Sequence, residues 1–482
     1  MSTPFSSLQG WALVAGYALM VFLVTAVYAR RRSRSKEGFL VSHRRVPGFQ
    51  GAFAVAATWI WAPALFLSAQ KAYEQGQVGL FWFVFPNVLC LVLFAFFAER
   101  IRVLAPNGYS MAGLVLERYS RRAHTLFLVE GFGLQTCAFA VQLLAGGAVL
   151  SRLTGIPFWQ LTIALALVPL LYSLRSGLRA SVATDYWQMI WILLVAFTTV
   201  PAVVIAAGGL DAVKAGLGGI SGRFRNPFDS AGIEVFLAFG LPTTVGLLSG
   251  PFGDQMFWQR AFALERRHVR SAFLWGALIF ALCPLSLSVL GFTLAGRHIR
   301  IPEAQLANVE AVWRWLPTWV LVPFLWMILS GLISTVDSVI CAVASYSGHD
   351  LLERSGKKYG DPESLRAGRR AMVVVSAVAV LVANIPGLKI LHLFLFYGTL
   401  RASVLLPTVI VLSARKALSE RGLFFGILGS MVVGLPLQTL GQLTKAPLLL
   451  SGGSLVTVLT SGAVLVLFTA LQRRQHACPG RE

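Results

Sequence analysis

Between residues 331 and 345, Gly331, Ser334, Thr335, Ser338, Ala342 and Ser345 recur at steps of three and four, the spacing that lines side chains along one face of a helix. Two chemistries fit this stripe. Small residues let a second helix approach closely, with each hydroxyl bonded back to a carbonyl one turn earlier. Alternatively, adjacent hydroxyls and a carbonyl one turn back form part of an oxygen site for a hard cation, completed by carbonyls freed at a break in another helix. Asp337 lies about one turn past Ser334. It would either neutralise such an ion or pair with a basic side chain, and the sequence leaves both open.

A second group is ionic. Arg401, in "FYGTLRASVLLP", sits midway along an apolar stretch, where an unpaired guanidinium costs at least several kcal/mol. Asp337 and Asp254 are the candidate partners, with a substrate carboxylate as a third. Glu130 matches no motif and reads as a paired structural acid rather than a proton carrier. His349-Asp350 is the nearest approach to a catalytic pair for a membrane acyltransferase. No nucleotide loop, His/Glu metal pair or nucleophile motif accompanies it, so an enzyme is not expected.

These residues must be positioned by helices in a membrane. The chain has 482 residues, 56% of them hydrophobic and 13% charged, about half the charged share of soluble domains. Apolar stretches near twenty residues, enough to cross a bilayer, recur from end to end. The lack of short alternating segments excludes a barrel. The expectation is an all-α polytopic membrane protein of about thirteen helices, at 11–29, 47–70, 77–99, 124–150, 157–174, 181–207, 234–257, 271–295, 318–347, 371–386, 389–412, 422–441 and 448–471. The net charge of +21 does not point to nucleic acid, because the basic residues cluster in short loops such as "ERRHVR" and "LRAGRR". With the first span running outside to inside, inner loops hold roughly three times as many Lys and Arg as outer ones. The N-terminus is therefore expected outside and the C-terminus inside. The five cysteines are scattered, four of them in apolar segments, and form no CxxC pair. The first apolar run, followed by "RRRSRSK", reads as a retained span and not a cleaved leader.

Two spans carry helix breakers. The second has Pro63 after a run of small residues, and the seventh has Pro242, Gly246, Gly250, Pro251 and Gly253. Either break alone would be an ordinary kink. They lie five spans apart, in helices of opposite direction, which is the pattern of an inverted-repeat transporter with its site at the breaks. The organisation expected is a single transporter domain. It comprises a peripheral helix at 11–29, a first repeat at 47–207, a second at 234–412 and peripheral helices at 422–471.

Four segments then carry a resemblance. "FLVSHRRVPGFQGAFAVAATWIWAPALFLSAQKAYEQG", "SVATDYWQMIWILL", "GDQMFWQRAFAL" and "GLISTVDSVICAVASYSGHDLL" resemble, in order, four signatures of the sodium:solute symporter family. The resemblance covers roughly residues 10 to 415. It implies a leucine-transporter fold and, matched motif to motif, a sodium site built from the carbonyls of Ala57, Ile60 and Gly331 and the hydroxyls of Ser334 and Thr335. It also implies a role for Asp185 in cation release or a second sodium, although a carboxylate at a helix's first turn has a purely structural use. Gln259 and Arg260 are expected to organise the inner end of the seventh span. Where sugar carriers of this family have polar contacts, this sequence has Trp59, Pro63, Ala64 and Phe83. With Trp61 and Trp82 these form an aromatic wall or simply core packing, and a sugar is put in doubt. The function implied is sodium-coupled symport of a small organic solute across the plasma (inner) membrane, with sodium as the coupling ion. Proton coupling, or a solute sensor working with a separate signalling partner, are the alternatives.

Overall fold

The computed structural model describes residues 3–28, 33–357, 359–388, 390–414 and 418–477; Cys478 and parts of the basic stretches around 29–32 and 358 lie outside them. Among these residues the secondary structure is helical, apart from one isolated bridge between Val46 and Leu264. The principal helices are α1 (Ser7–Tyr28), α2 (Gly48–Trp59), α3 (Ala62–Leu104), α4 (Arg121–Thr154), α5 (Phe158–Ser176), α6 (Leu178–Ala206), α7 (Leu241–Leu248), α8 (Gln255–Ala263), α9 (Val269–Gly296), α10 (Leu321–Ser345), α11 (Asp361–Ala383), α12 (Ile390–Ser413), α13 (Glu420–Thr444) and α14 (Pro447–Ala477).

Eleven helices among the described residues are long and apolar enough to span a bilayer. The difference from thirteen has two sources. The span expected at 47–70 is split, its first half being the 12-residue α2 and its second half the start of α3. α11 begins on a charged stretch from Asp361. At 43 residues α3 would be about 64 Å long if straight, well beyond a bilayer of about 40–45 Å. It bends at Gln75 and at Gly76 (φ +56°), where any Cβ would lie 2.4 Å from the Leu217 carbonyl oxygen; only glycine fits.

The first break falls at Ile60 (ψ 80°) and the extended Trp61, not at Pro63. Pro63 sits in the first turn of α3, where its missing N–H is harmless. The second falls at Asp254, which is extended (ψ 118°) after the short turn Gly250–Gly253. Burial separates the helices. The apolar windows of α4 and α10 are 78% and 72% buried, against 28% for α1 and 33% for α13 and α14. α9 lies along both α2 and α3, α10 sits between α4 and α6, and α12 packs on α4 and α7. Gly291 makes the closest of these approaches, since a Cβ there would stand 2.1 Å from the Ala69 carbonyl oxygen.

Candidate functional site

At the first break, α2 unwinds against the middle of α10. Gly331 has no side chain to hold them apart, and a Cβ there would lie 3.0 Å from the Ile60 carbonyl oxygen. Thr335 Oγ1 lies 3.2 Å from the Gly331 carbonyl and 3.4 Å from that of Thr58. The Ala57 carbonyl, one turn below, accepts the Ile60 N–H at 3.1 Å. Ser334 Oγ donates to Asp185 Oδ1 at 2.5 Å, which turns the hydroxyl proton toward the carboxylate and leaves its lone pairs for another partner. Ile60, Gly331 and Thr335 thus meet where two helices touch, with Ser334 turned to Asp185 of α6 and Ala57 three residues before Ile60 on α2.

Asp185 and Asp337 face each other across a cluster of hydroxyls. Asp185, fully buried, accepts from Arg260 Nη2 at 2.6 Å. The same nitrogen reaches Ser338 Oγ at 2.6 Å and Ser181 Oγ at 3.4 Å. Asp337 accepts from Tyr172 (2.5 Å), Ser181 (2.6 Å) and Thr184 (3.0 Å). Its expected alternative role as partner of Arg401 is therefore corrected, because α5 and α6 already surround its carboxylate with hydroxyl donors. Gln259 ties α8 to its neighbours through the Leu40 and Cys341 carbonyls.

Arg401 stands at the second break, ion-paired with Asp254. Tyr397, one turn before Arg401 on α12, has its hydroxyl 2.9 and 2.8 Å from the two Asp254 oxygens, which share its one proton, and Gln135 Nε2 lies 3.4 Å from Oδ1. The extended backbone at Asp254 frees its side chain from helix capping and aims it at α12. Three rings face the guanidinium: Tyr397 at 3.6 Å, Trp61 at 5.1 Å and Trp59 at 5.5 Å from their centroids. Trp59 stacks on Trp61 (6.1 Å, 27°), which also meets Phe394 at 5.4 Å. Trp82 instead packs against Phe236 and Phe81, and Phe83 is buried in the core. The aromatic wall is thus Trp59, Trp61, Phe394 and Tyr397. The sequence reading missed the last two; their position seven and four residues before a mid-span arginine was the available signal.

A cavity of about 630 Å³ lies between residues of Ala62–Lys71 on α3, Leu144–Val149 on α4, and residues 383–388 with Ile390. That is a usual size for a small-molecule site. Its lining begins at Ala62 and Pro63, next in the chain to Trp61.

Glu130 was expected to be paired. Its partner is Ser403, a hydroxyl, at 2.8 Å, and it takes part in no ion pair among the described residues. Arg401, two residues before Ser403 on α12, is turned toward Asp254 instead. Asp350 of the His349-Asp350 pair accepts from Ser110 at 2.7 Å.

The family model for the sodium:solute symporter family matches residues 39–430. A urea–proton symporter of Oryza sativa subsp. japonica is 24% identical over 97% of this chain and 71% of its own length. A urea active transporter of Saccharomyces cerevisiae is 23% identical over 86% of the chain and 60% of its own length. A high-affinity choline transporter of Caenorhabditis elegans is 24% identical over 89% and 77%. Among solved structures, a substrate-bound, outward-open Na+-coupled sialic acid symporter superposes with TM-score 0.77, at 15% identity, over 96% of this chain and 98% of that one.

Proposed function

The chain belongs to the sodium:solute symporter family, and on that premise we propose that it couples sodium entry to uptake of a small organic solute across the plasma membrane, by alternating access. It is a multi-pass secondary transporter and not an enzyme. The observation that carries the choice of sodium is the charge balance beside Ser334. Asp185 and Asp337 place two carboxylates against the single guanidinium of Arg260, in a fully buried cluster. A buried unbalanced charge is costly; a monovalent cation held by Ser334, Thr335 and the carbonyls of Ala57, Ile60 and Gly331 would neutralise it. In this reading 47–207 and 234–412 are the two repeats, and the solute enters through the cavity that ends at Pro63.

The solute belongs at the aromatic wall. Arg401 Nε, Trp61 Nε1 and Gln135 Oε1 are buried without a hydrogen-bond partner among the described residues. Two donors and one acceptor suit a small molecule with both a carbonyl and N–H groups. Urea has both, and it is the solute in the names of the rice and yeast relatives. The rice relative is named as proton-coupled, so coupling by protons alone is the second reading.

The test is uptake into proteoliposomes of labelled urea, choline, pantothenate and glucose, each with an inward sodium gradient and with potassium in its place. Sodium-stimulated uptake of urea supports the proposal. Uptake driven equally in potassium, and raised by an inward proton gradient, overturns the sodium assignment; stimulation of another solute overturns only the choice of urea.

A further inference from the structure

Glu130 has no place in the sodium site or the aromatic wall, yet its carboxyl is almost wholly buried, at 2% exposure. It sits nine residues into α4, roughly 14 Å from the start of that helix, at the end where Arg121 and Arg122 mark the basic face. An intramembrane carboxyl without a cation is expensive and therefore a functional candidate by default.

Its surroundings are those of an acid rather than a carboxylate. Oε1 lies 2.8 Å from Ser403 Oγ, which lies equally close to the Leu400 carbonyl oxygen. One hydroxyl has one proton. When Ser403 gives that proton to Leu400, the contact with Glu130 holds only if the carboxyl supplies the other one. Oε2 has no hydrogen-bond partner among the described residues. Glu130 also lines a small cavity of about 10 Å³ with Gly131, Phe252, Gly253, Trp258 and Tyr346, close to the room one water needs.

The ionisable groups around it are few. Asp254 of the second break is within electrostatic reach, with Arg401 beyond it and already paired. On the α10 side, Tyr346 rests on Gly131, whose Cβ would meet the phenol oxygen at 2.5 Å. One turn further is Asp350, fully buried, with one carboxyl oxygen also unpartnered. Asp350, Tyr346 and Glu130 therefore form a line of exchangeable groups leading from the basic face to the Arg401–Asp254 pair.

We propose that Glu130 is a proton-binding site, loaded and unloaded once in each transport cycle through the Tyr346–Asp350 side. The step is a simple transfer: the O–H bond of the carboxyl breaks, its electron pair stays on Glu130, and the proton passes to a water in the small cavity. Displacement of the cavity-lining Phe252 and Trp258 side chains would admit that water and allow release. The inference rests on the transporter reading and is independent of sodium.

Infrared difference spectroscopy on the purified full-length protein reads the proton directly, with no solute needed. On a jump from mildly acid to mildly alkaline pH, the wild type should lose a carboxylic-acid C=O band, and Glu130→Gln should lack that band. Ser403→Ala keeps the carboxyl and should move the midpoint of the titration, which guards against a misfolded Glu130→Gln. A band that fails to titrate, survives in Glu130→Gln, or ignores Ser403→Ala overturns the proposal. In proteoliposomes, sodium-driven urea uptake should vary with internal pH in the wild type and lose that dependence in Glu130→Gln; equal dependence in both also overturns it. Absence of any sodium stimulation in the wild type would instead sink the sodium assignment, while the infrared band still decides Glu130.

Discussion

Removing the charge of Arg401 isolates what the second break is built around. In Arg401→Met, Asp254 remains fully buried and keeps its Tyr397 and Gln135 donors but loses its cation. Breaking a buried pair in this way costs about 3–5 kcal/mol. The protein can limit the loss by protonating Asp254, and at pH 7 that proton costs an ordinary aspartate about 4 kcal/mol, so both routes give the same scale. Arg401→Met with Asp254→Asn removes the stranded charge and should recover about 2 kcal/mol or more of the loss, since Asn still accepts from Tyr397. Thermal unfolding in detergent, followed by tryptophan fluorescence, measures the stability of the two singles and the double. Uptake measured in parallel separates roles: recovered stability with transport still absent places Arg401 at the solute. A double variant no more stable than Arg401→Met would refute the pairing argument, because the cost would then come from lost packing against Trp59 and Trp61.

Ser334→Ala with Thr335→Ala removes two of the five oxygens assigned to the cation, and the sodium concentration for half-maximal uptake should rise at least about tenfold, or about 1.4 kcal/mol; an unchanged value would make them packing residues. Cysteines placed at the exposed Ser221 or Phe228 should react with an impermeant thiol reagent on intact cells, while one at the exposed Ser355 should not; the reverse pattern inverts the topology. Gly291→Ala puts a methyl 2.1 Å from the Ala69 carbonyl oxygen and should cost about 1–3 kcal/mol by thermal unfolding, whereas Gly452→Ala, with open space around it, should leave stability intact.

The residues that announced themselves in the sequence were those out of place in hydrocarbon. Arg401, Asp254, Asp337 and the Ser334–Thr335 pair stood out because the cost of burying them demands partners. The choice between Asp337 and Asp254 for Arg401 was not legible, since it depends on Tyr172, Ser181 and Thr184 arriving from α5 and α6. The breaks were found from proline and glycine, yet placed a little off: Pro63 opens a helix rather than ending one, and the chain unwinds at Ile60 and Trp61. Trp82 was grouped with Trp59 by residue type alone, whereas the direction of its ring is set by Phe236 on another helix. Glu130 was assigned a partner on general grounds, and the arginine that could have served is held elsewhere.

The two close glycine contacts of α3 restrict how the molecule can move. Gly76 seats the bend of α3 against the Leu217 carbonyl, and Gly291 locks the Ala69 carbonyl onto α9. The stretch from Ala62 to Gly76 is therefore fastened near its middle and at its far end, and tilting it alone would open both seams. It is expected to move together with α9 and the turn at Leu217. What remains is the two-residue joint at Ile60 and Trp61, where the backbone leaves helical geometry. In the proposed reading, a solute pressing on Trp59 and Trp61 would therefore move the Ile60 carbonyl first, because that joint is where the helical geometry is interrupted.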